Sequence, residues 1–436
     1  MEQMQWANAL STRPSLEAAI SEAIAKVEQQ LSQPASIGLV FISSAFTSEY
    51  SRLMPLLQEK LDIPVLVGCG GGGIVGMTAP ERAEEWEDRP ALSLTLAYLP
   101  NVQATAFHIN MEELPDLDAS PDRWIDLVGV APETNPHFIL LVDPMSPGLN
   151  DLLQGLDFAY PSSIKAGGLA SSSPVRQGSS LFYNYDLYSE GAVGLALSGD
   201  IAVETIVAQG CRPIGSIYQI TQAERNIVLE LQEQTGVDLE RGEAGVPLEI
   251  LRETVAQLDE NDRKLAQDSL FVGVAKDSFK TQLEPEDFLI RNLLGIDPRI
   301  GALAIAERVR VGQRIQFHLR DALASEEELT VLLQRYRQHL DGQTTAGSLP
   351  LSSSPSGAGA FMFTCLGRGE QLYDRPHVDS SLFHKYLRAI PLSGFFCHGE
   401  IGPVGGNTFL HGYTSVFAII YQSSVLRSPS GQLGQD

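Results

Sequence analysis

Short apolar runs of strand length alternate with helix-length amphipathic segments along most of the chain. Residues 14–31 place apolar side chains at helical spacing, and residues 37–42 form a continuous apolar run that predicts a buried strand. This alternation is typical of a mixed α/β (α+β) fold in which helices pack on mixed sheets. No apolar run reaches the roughly 20 residues that a spanning helix needs, so we predict no membrane span.

One supersecondary unit occurs three times. It consists of a strand, a small polar loop, a helix, a second strand and a loop rich in glycine or serine. The copies cover residues 37–73, 137–173 and 360–406. Strands joined through a helix pair in parallel, so each copy predicts one parallel strand pair in a mixed sheet.

The first and third copies end in the two most glycine-rich loops of this pattern. Aligning Cys69 with Cys397 brings residues 74–76 close to residues 403–405, two or three residues out of phase. Glycine permits close backbone approach and exposes main-chain amides, so both loops can contact a small molecule.

The internal similarity predicts two similar domains with pseudo-symmetric, layered packing. We place an N-terminal domain at residues 1–218 and a C-terminal domain at residues 219–425. A Ser/Gly/Pro-rich segment at 342–359 predicts a flexible loop inside the second domain, and residues 426–436 predict a disordered tail.

Two capping-box patterns indicate helix starts in the C-terminal half. Thr221 to Glu224 predicts a helix through Gln232. Ser325 to Glu328 predicts a second helix with an apolar side.

Composition narrows the function classes. The 436 residues carry a formal net charge of −24, which repels nucleic acid and anionic membrane surfaces. Four cysteines lie far apart without a CxxC pair, which predicts a reduced, cytoplasmic protein without disulfides or zinc. No motif indicates a cofactor, and the sequence leaves the oligomeric state open.

Five stretches carry a resemblance to a known family: Val65–Gly76, Gly210–Gly215, Phe288–Gly295, Cys365–Gly369 and Gly394–Pro403. In these stretches, over nearly the whole chain, the sequence resembles the FIST proteins, which have an N-terminal and a C-terminal FIST domain. The resemblance implies a sensory role in signal transduction, with amino acids or related small polar metabolites as ligands.

Some FIST proteins carry an F-box ahead of the first domain. This chain begins close to that domain, so we expect no F-box and no ligase role. A fused kinase, methyl-accepting or cyclase domain is also not expected. Any output then acts in trans, through a separate signalling protein.

The candidate ligand-binding residues come mainly from the two glycine loops. Cys69, Gly70 and Gly71 belong to the first loop, and Cys397 and Gly399 to the second. A cysteine beside His398 suggests a nucleophile, but neighbouring residues of a strand point to opposite faces. We therefore favour buried structural thiols that line a pocket, and expect no catalytic residue.

Two charged residues are candidates, because a carboxylate is costly to bury unless a donor pairs with it. Glu400 either binds a ligand ammonium group or pairs with Arg368 or Arg291. Arg368, between two glycines, either forks onto a ligand carboxylate or is a solvated loop residue. The two alternatives for each residue remain open.

The remaining candidates are weaker. Arg291 and Asn292 form a candidate polar pair within an apolar strand, where Asn292 could contact backbone groups or a ligand. Asn407 and His411 share one face of the strand after the loop of Cys397 and Gly399. Ser43, Ser44 and residues 171–173 could supply hydroxyl contacts, but they are interpreted as turn-forming serines.

Three functions are compatible with these patterns. The preferred one is a cytoplasmic small-ligand sensor without catalysis. The alternatives are a thiol-dependent hydrolase or amidase using Cys397, and an interaction scaffold that recruits a partner through loop 342–359.

Overall fold

The computed structural model describes residues 2–171, 179–235, 240–277, 280–343 and 357–426. The chain forms two compact units: unit 1 comprises Met1–Ala208 and Leu329–Asp436, and unit 2 comprises Gln209–Glu328. Both contain β-sheets with packed helices, which confirms the predicted mixed α/β class.

The strands are given in chain order. The first part of unit 1 contains β1 (Gln5–Ser11), β2 (Ile37–Ser43), β3 (Val65–Gly71), β4 (Gly73–Ala79), β5 (Arg82–Glu87), β6 (Leu92–Tyr98), β7 (Val102–Ile109), β8 (His137–Val142), β9 (Lys165–Leu169), β10 (Leu181–Tyr183), β11 (Asp186–Tyr188), β12 (Ala192–Gly199) and β13 (Ala202–Ala208). Unit 2 contains β14 (Cys211–Glu224), β15 (Ile227–Thr235), β16 (Glu240–Gly245), β17 (Leu270–Ala275), β18 (Phe288–Asp297), β19 (Ala302–Ile305) and β20 (Arg314–Arg320). The chain then returns to unit 1 with β21 (Gly359–Cys365), β22 (Leu392–Cys397), β23 (Glu400–Val404), β24 (Asn407–His411) and β25 (Ser415–Tyr421).

The helices are α1 (Leu16–Glu28), α2 (Tyr50–Gln58), α3 (Pro121–Val128), α4 (Leu149–Ala159), α5 (Pro247–Ala256), α6 (Glu260–Asp268), α7 (Ala322–Gln343), α8 (Glu370–Tyr373), α9 (Val378–Tyr386) and α10 (Ser423–Leu426). Ser15 caps α1 by accepting a hydrogen bond from the Ala18 amide, as its position before the apolar pattern indicates.

The three predicted strand–helix–strand copies are present, all in unit 1. Their strand pairs β2–β3, β8–β9 and β21–β22 are each parallel, as predicted. Each pair forms the centre of its own six-stranded sheet. The strand orders are β1-β6-β2-β3-β10-β11, β7-β12-β8-β9-β23-β24 and β13-β25-β21-β22-β4-β5. Written this way, the three sheets have the same plan.

The three sheets share one apolar core, to which alternate residues of the central strands contribute. These are Leu39 and Phe41 of β2, Ile139 and Leu141 of β8, and Phe361 and Phe363 of β21. The intervening side chains face the helices: Val40 and Ile42 pack with α1 and α2. On the third sheet Phe383 of α9 stacks on Phe417 of β25, with ring centroids 5.4 Å apart. The continuous apolar runs therefore reflect burial on both faces of each strand.

The hairpin after each parallel pair joins a different sheet. The β4–β5 hairpin follows β3 but pairs with β22, and β10–β11 follows β9 but pairs with β3. The β23–β24 hairpin follows β22 and pairs with β9. This cyclic exchange interlocks the three repeats, so none of them completes its sheet alone.

The strand register fixes which residues of the repeats are equivalent. At Gly68, Gly167 and Gly394 an added Cβ would lie 2.0, 1.8 and 1.9 Å from a carbonyl oxygen of the neighbouring parallel strand. With Gly68 aligned to Gly394, residues 68–76 align with residues 394–402 without a gap. The alignment of Cys69 with Cys397 was wrong by two residues, because Cys69 corresponds to Phe395 in this register.

Unit 2 has one antiparallel sheet of order β14-β20-β17-β18-β19-β15-β16, closed by an additional pairing between β14 and β15. The helix predicted from Thr221 to Gln232 is wrong, since this segment forms the β14–β15 hairpin, turning at Arg225 with φ of 56°. Buried Ile220, Val228 and Leu231 contribute to the core of the closed sheet, and this burial overrides the capping-box signal.

The other capping box also misplaced a helix start. Helix α7 begins at Ala322, and Ser325 lies inside its first turn, donating to the carbonyl of Asp321. The division of the compact units falls at 208/209 and within α7 at 328/329. The family-domain boundary at 218/219 stays a prediction; it lies within β14.

Most of the predicted loop 342–359 and of the predicted tail 426–436 lies outside the described residues. Of the loop, residues 342–343 belong to α7 and Gly359 begins β21, and Leu426 ends α10. Among the described helices, none combines the length and the apolar character needed to cross a bilayer.

Candidate functional site

The loops that leave the three parallel pairs meet at one end of unit 1. By the strand register Gly72, Ser171 and His398 occupy equivalent positions, one residue beyond Gly71, Ala170 and Cys397. The Ser171 hydroxyl accepts a hydrogen bond from the Gly72 amide at 2.8 Å and donates one to the carbonyl of Phe396. Ser171 thus ties the three repeats together at this point.

A cavity of about 760 Å³ lies against these three positions. Its walls also include Ser44 and Leu366, which follow the first strands of two repeats. The end of β5 with the two residues after it, and the start of α8, complete the walls. The lining residues are Ser44, Gly72, Gly73, Glu87, Asp88, Arg89, Ser171, Leu366, Glu370, Gln371, Phe396 and His398. We refer to this site as the convergence cavity.

The glycine at position 72 shapes the floor of the convergence cavity. A Cβ there would lie 2.4 Å from Cδ2 of Leu366, so a side chain at this position would displace Leu366. The equivalent His398 has its side chain exposed, while Ser171 is buried. One glycine, one serine and one histidine at equivalent positions make the site asymmetric although the backbone plan is shared.

The charged groups of the convergence cavity are mixed but predominantly acidic. Glu87, Asp88 and Glu370 supply carboxylates, and Arg89 supplies a guanidinium that lies 5.7 Å from the ring centroid of Trp86. Partial burial raises the pKa of Glu87. The hydrogen bond that its Oε1 accepts from the Glu370 amide at 2.9 Å lowers the pKa, but burial has the larger effect. Carboxylates and a guanidinium in one cavity can bind an ammonium group and a carboxylate group together.

His398 adds a group that is neutral near pH 7. Loss of hydration lowers the pKa of its imidazole below the ordinary value of 6.5. Its backbone amide donates to the carbonyl of Leu169 at 3.1 Å, which fixes the main chain at this position. A neutral imidazole can donate or accept a hydrogen bond to a polar ligand.

The predicted glycine-loop residues lie beneath the cavity. Cys69, Gly70, Gly71, Cys397 and Gly399 are all buried, and of the residues next to them Gly72, Phe396 and His398 line the cavity. Gly70 connects two of the repeats, because its amide donates to the carbonyl of Ser180 at 2.9 Å and its carbonyl accepts from the Ser171 amide at 3.1 Å.

Cys69 and Cys397 are free thiols held in the apolar core. Burial raises the pKa of Cys69 well above its ordinary value. Burial, reinforced by the Glu400 carboxylate, does the same for the pKa of Cys397. A thiolate is therefore strongly disfavoured at neutral pH, and the environment of Cys397 gives no support to its interpretation as a nucleophile.

Glu400 is completely buried, and its Oε2 accepts a hydrogen bond from the Thr414 amide at 3.1 Å. The strand register makes it equivalent to Ile74 and Leu181, two residues of the shared core. It does not line the convergence cavity. A carboxylate thus occupies a position where the other repeats have an aliphatic side chain.

Arg368 belongs to a buried polar network. Its Nε donates to Oδ2 of Asp379 at 2.8 Å and its Nη2 to Oδ1 of Asp379 at 3.1 Å. The hydroxyl of Tyr373 lies 2.6 Å from the same Nη2 and donates to Asp379 at 2.8 Å. Both partners of the ion pair are 1% exposed, so Arg368 is neither a solvated loop residue nor a lining residue of the cavity.

Glu85 is the second carboxylate beside Asp379, and its Oε1 accepts from the Ser380 amide at 2.7 Å. Burial, reinforced by the nearby Asp379 carboxylate, raises the pKa of Glu85 from 4.5 to about 8. A carboxyl group with a raised folded-state pKa stabilises the protein fully below its unfolded-state pKa. This contribution is lost as the pH rises through the folded-state pKa.

We expect the Glu85→Gln variant to lose less stability than wild type as the pH rises from 5 to 8. The amide of glutamine resembles the protonated carboxyl group but cannot ionise. The free energy of unfolding of the variant relative to wild type should therefore increase by about 1 kcal/mol per pH unit. Urea-induced unfolding at several pH values measures it, with exposed Glu133→Gln as the matched control. Parallel pH profiles for wild type and Glu85→Gln would contradict the assignment.

The other predicted site residues lie elsewhere. Arg291 and Asn292 belong to β18 of unit 2, where Arg291 pairs with Glu307 at 2.5 Å and Asn292 is exposed. Asn407 is exposed at the start of β24. His411 is buried, and its Nε2 lies 3.1 Å from the carbonyl oxygen of Gly402. None of the four lines the convergence cavity.

Several lining residues were missed by the sequence reasoning. Ser171 and Ser44 were interpreted as turn-forming, and residues 87–89 and 370–371 were not considered. The signal that could have found part of the site is the repeat itself. Aligning the three glycines with a parallel-strand contact, instead of the two cysteines, places Gly72, Ser171 and His398 at one position.

Comparison with protein families gives two matches that together span most of the chain. The FIST N domain matches residues 36–234, and the FIST C domain matches residues 247–403. The chain belongs to the FIST family. FIST domains are sensory domains of signal-transduction proteins.

Similar curated proteins include two of nearly the same length as this chain. An uncharacterized protein of Mycobacterium tuberculosis is 32% identical over 414 residues, covering 94% of this chain and 98% of that protein. One of Mycobacterium bovis is 31% identical over 409 residues, covering 94% and 96%. F-box only protein 22 of Homo sapiens is 39% identical over 80 residues, 15% of this chain and 20% of that protein.

Among solved structures, a crystal structure of cyanuric acid hydrolase from A. caulinodans is similar over 96% of this FIST protein and 99% of that chain. The sequence identity is 9% and the TM-score 0.32, a similarity too low to support an argument about fold or chemistry.

Proposed function

We propose that this FIST protein senses a small zwitterionic metabolite, such as an amino acid, which binds in the convergence cavity. The observation that carries the proposal is that equivalent loop positions of all three repeats line one cavity, together with carboxylates and a guanidinium. A ligand in this position touches all three repeats, so its binding is coupled to their mutual packing.

The charge pattern supports an amino acid as the ligand. Glu87 and Glu370 can accept hydrogen bonds from an ammonium group, and Arg89 can pair with a carboxylate in a two-pronged geometry. The hydroxyl of Ser44 and the neutral imidazole of His398 are available for a polar side chain. No step in this proposal requires a nucleophile, and the output passes to a separate protein in the cytoplasm.

We expect titration with the twenty common amino acids, one at a time, to give saturable heat for at least one of them. Replacing Arg89 by alanine should weaken that binding at least tenfold, since hydrogen bonds between charged groups contribute about 1.5–3 kcal/mol. The Glu87→Gln variant should weaken it similarly. Isothermal titration calorimetry measures both effects.

The matched control is Arg123→Ala, which removes an exposed arginine of α3 that does not line the cavity. Equal weakening by Arg89→Ala and Arg123→Ala would show a nonspecific charge effect and contradict the site. The absence of saturable heat for every amino acid with folded wild-type protein would contradict the ligand class.

A further inference from the structure

A second concave surface of unit 1 shares no lining residue with the convergence cavity. It consists of two cavities of about 750 and 330 Å³ that have Met111, Glu112 and Pro147 in common. We call the two together the acidic groove. Its walls are the loop after β7 and the loop between β8 and α4, with the turn before β12 at one end.

The groove is strongly acidic. Its lining carboxylates are Glu112, Asp116, Asp118, Asp143, Asp151 and Glu190, and no lysine, arginine or histidine lines either cavity. The surrounding sequence has the same bias, because residues 110–164 contain ten Asp and Glu residues, one arginine (Arg123) and no lysine. Such a field attracts a cationic partner and repels an anionic one.

Apolar side chains lie among these carboxylates. Leu117 is 50% exposed and Met145 is 57% exposed, one in each cavity wall. Exposed methionine and leucine side chains inside a concave surface provide apolar contact area that adapts to a partner. The groove therefore combines charge with apolar contact, a combination that a simple cation cannot use.

Asp143 gives the groove a buried anionic anchor. It is 3% exposed and lines the smaller cavity, and its Oδ2 accepts from the Ser146 hydroxyl at 2.8 Å. Its Oδ1 is buried and has no hydrogen-bond partner within the described part of the chain. Burying a carboxylate oxygen without a donor is costly, so a cationic donor placed here would be bound favourably.

The repeats make this carboxylate unusual. Asp143 is equivalent to Ser43 and Cys365, the residues at the ends of β2 and β21. Ser43 is satisfied locally, since its hydroxyl accepts from the Ala91 amide at 3.0 Å. Of the three repeats, only the second has a carboxylate at this position. No amide or basic side chain of the described residues donates a hydrogen bond to the Asp143 Oδ1 atom.

We propose that the acidic groove binds a basic, leucine-containing peptide segment of a partner protein. A lysine or arginine of the peptide enters the smaller cavity towards Asp143 and Glu190, and a leucine packs against Leu117 and Met145. A metal ion fits less well, because the described residues contain no group of three or more His, Cys, Asp or Glu side chains arranged to hold one. The groove thereby gives the sensor a binding surface for its output partner.

The test uses a fluorescein-labelled nonapeptide of alternating lysine and leucine, titrated with the full-length protein and followed by fluorescence anisotropy. The groove variant Glu112→Gln/Asp116→Asn/Asp118→Asn should weaken binding at least tenfold. The matched variant Asp122→Asn/Asp126→Asn/Glu133→Gln removes three exposed carboxylates of the same segment and should weaken it less than twofold. Asp143→Asn should also weaken binding, about tenfold.

Two further arms decide the chemistry. A peptide with serine in place of leucine should bind at least tenfold more weakly. Equal affinities of the two peptides would overturn the proposal in favour of nonspecific charge attraction. Equal weakening of peptide binding by the two triple variants would do the same. Saturable heat from calcium chloride alone, lost in Asp143→Asn while the peptide fails to bind wild type, would overturn it in favour of a metal site. The groove variant should retain wild-type affinity in the convergence cavity, so the two proposals can fail separately.

Discussion

Replacing Arg368 by methionine is expected to destabilise the protein by about 3–5 kcal/mol, because it leaves the Asp379 carboxylate buried without its charged partner. Asp379 is 0% exposed, so water cannot replace the guanidinium. Chemical denaturation followed by circular dichroism measures the loss.

A double variant distinguishes the ion pair from simple loss of packing. Arg368→Met combined with Asp379→Leu should be less destabilised than Arg368→Met alone, because no charge is left buried. Arg368→Lys should remain destabilised, since an ammonium group cannot form the two-pronged pair with Asp379. Additive losses in the double variant would show that the pair is not the cause.

Replacing Gly167 by alanine is expected to cost about 3 kcal/mol or more, at the upper end of the range for overpacking. The new Cβ would lie 1.8 Å from the carbonyl oxygen of Leu140, and the two strands would have to separate. Gly68→Ala and Gly394→Ala meet the same obstacle and should be comparably damaging. Thermal unfolding of the three variants measures the effect.

Gly412→Ala is the matched control, because an added Cβ there meets nothing within 4 Å. It should change stability by less than about 0.5 kcal/mol, the usual range for surface substitutions. If Gly68→Ala, Gly167→Ala and Gly394→Ala are as well tolerated as Gly412→Ala, the equivalence of the three repeats would lose its structural basis.

The repeats could be found in the sequence because each one carries its own local signal. The first strand of each repeat is a mostly apolar run of six or seven residues, followed by a short loop and a helix pattern, so the order of elements is visible without tertiary information. Strand–helix–strand connectivity then predicts parallel pairing. The exchange of the β4–β5 hairpin to β22 could not be predicted, because both candidate sheet edges accept the same pattern.

The candidate site was less accessible from the sequence. Cys397 and Glu400 were conspicuous as polar or reactive residues in a glycine-rich loop, and both are completely buried. The cavity instead uses Ser171 and Glu87, which are ordinary residues in their local context. Chemical type in a loop indicates a site only when the direction of the side chain is known, and one-residue errors of register reverse that direction.

The sequence by itself determined the mixed α/β class, the three strand–helix–strand units and the acidic character, because these depend on local periodicity and composition. Tertiary structure decided which loops meet, which charges are paired and which are left facing a cavity. Arg368 illustrates the difference, since its partner Asp379 is selected by the packing of α9 and not by any local pattern. Side-chain contacts between distant segments depend on the strand register and on the sheet that each hairpin joins. The local residue pattern of the chain is compatible with more than one choice of each.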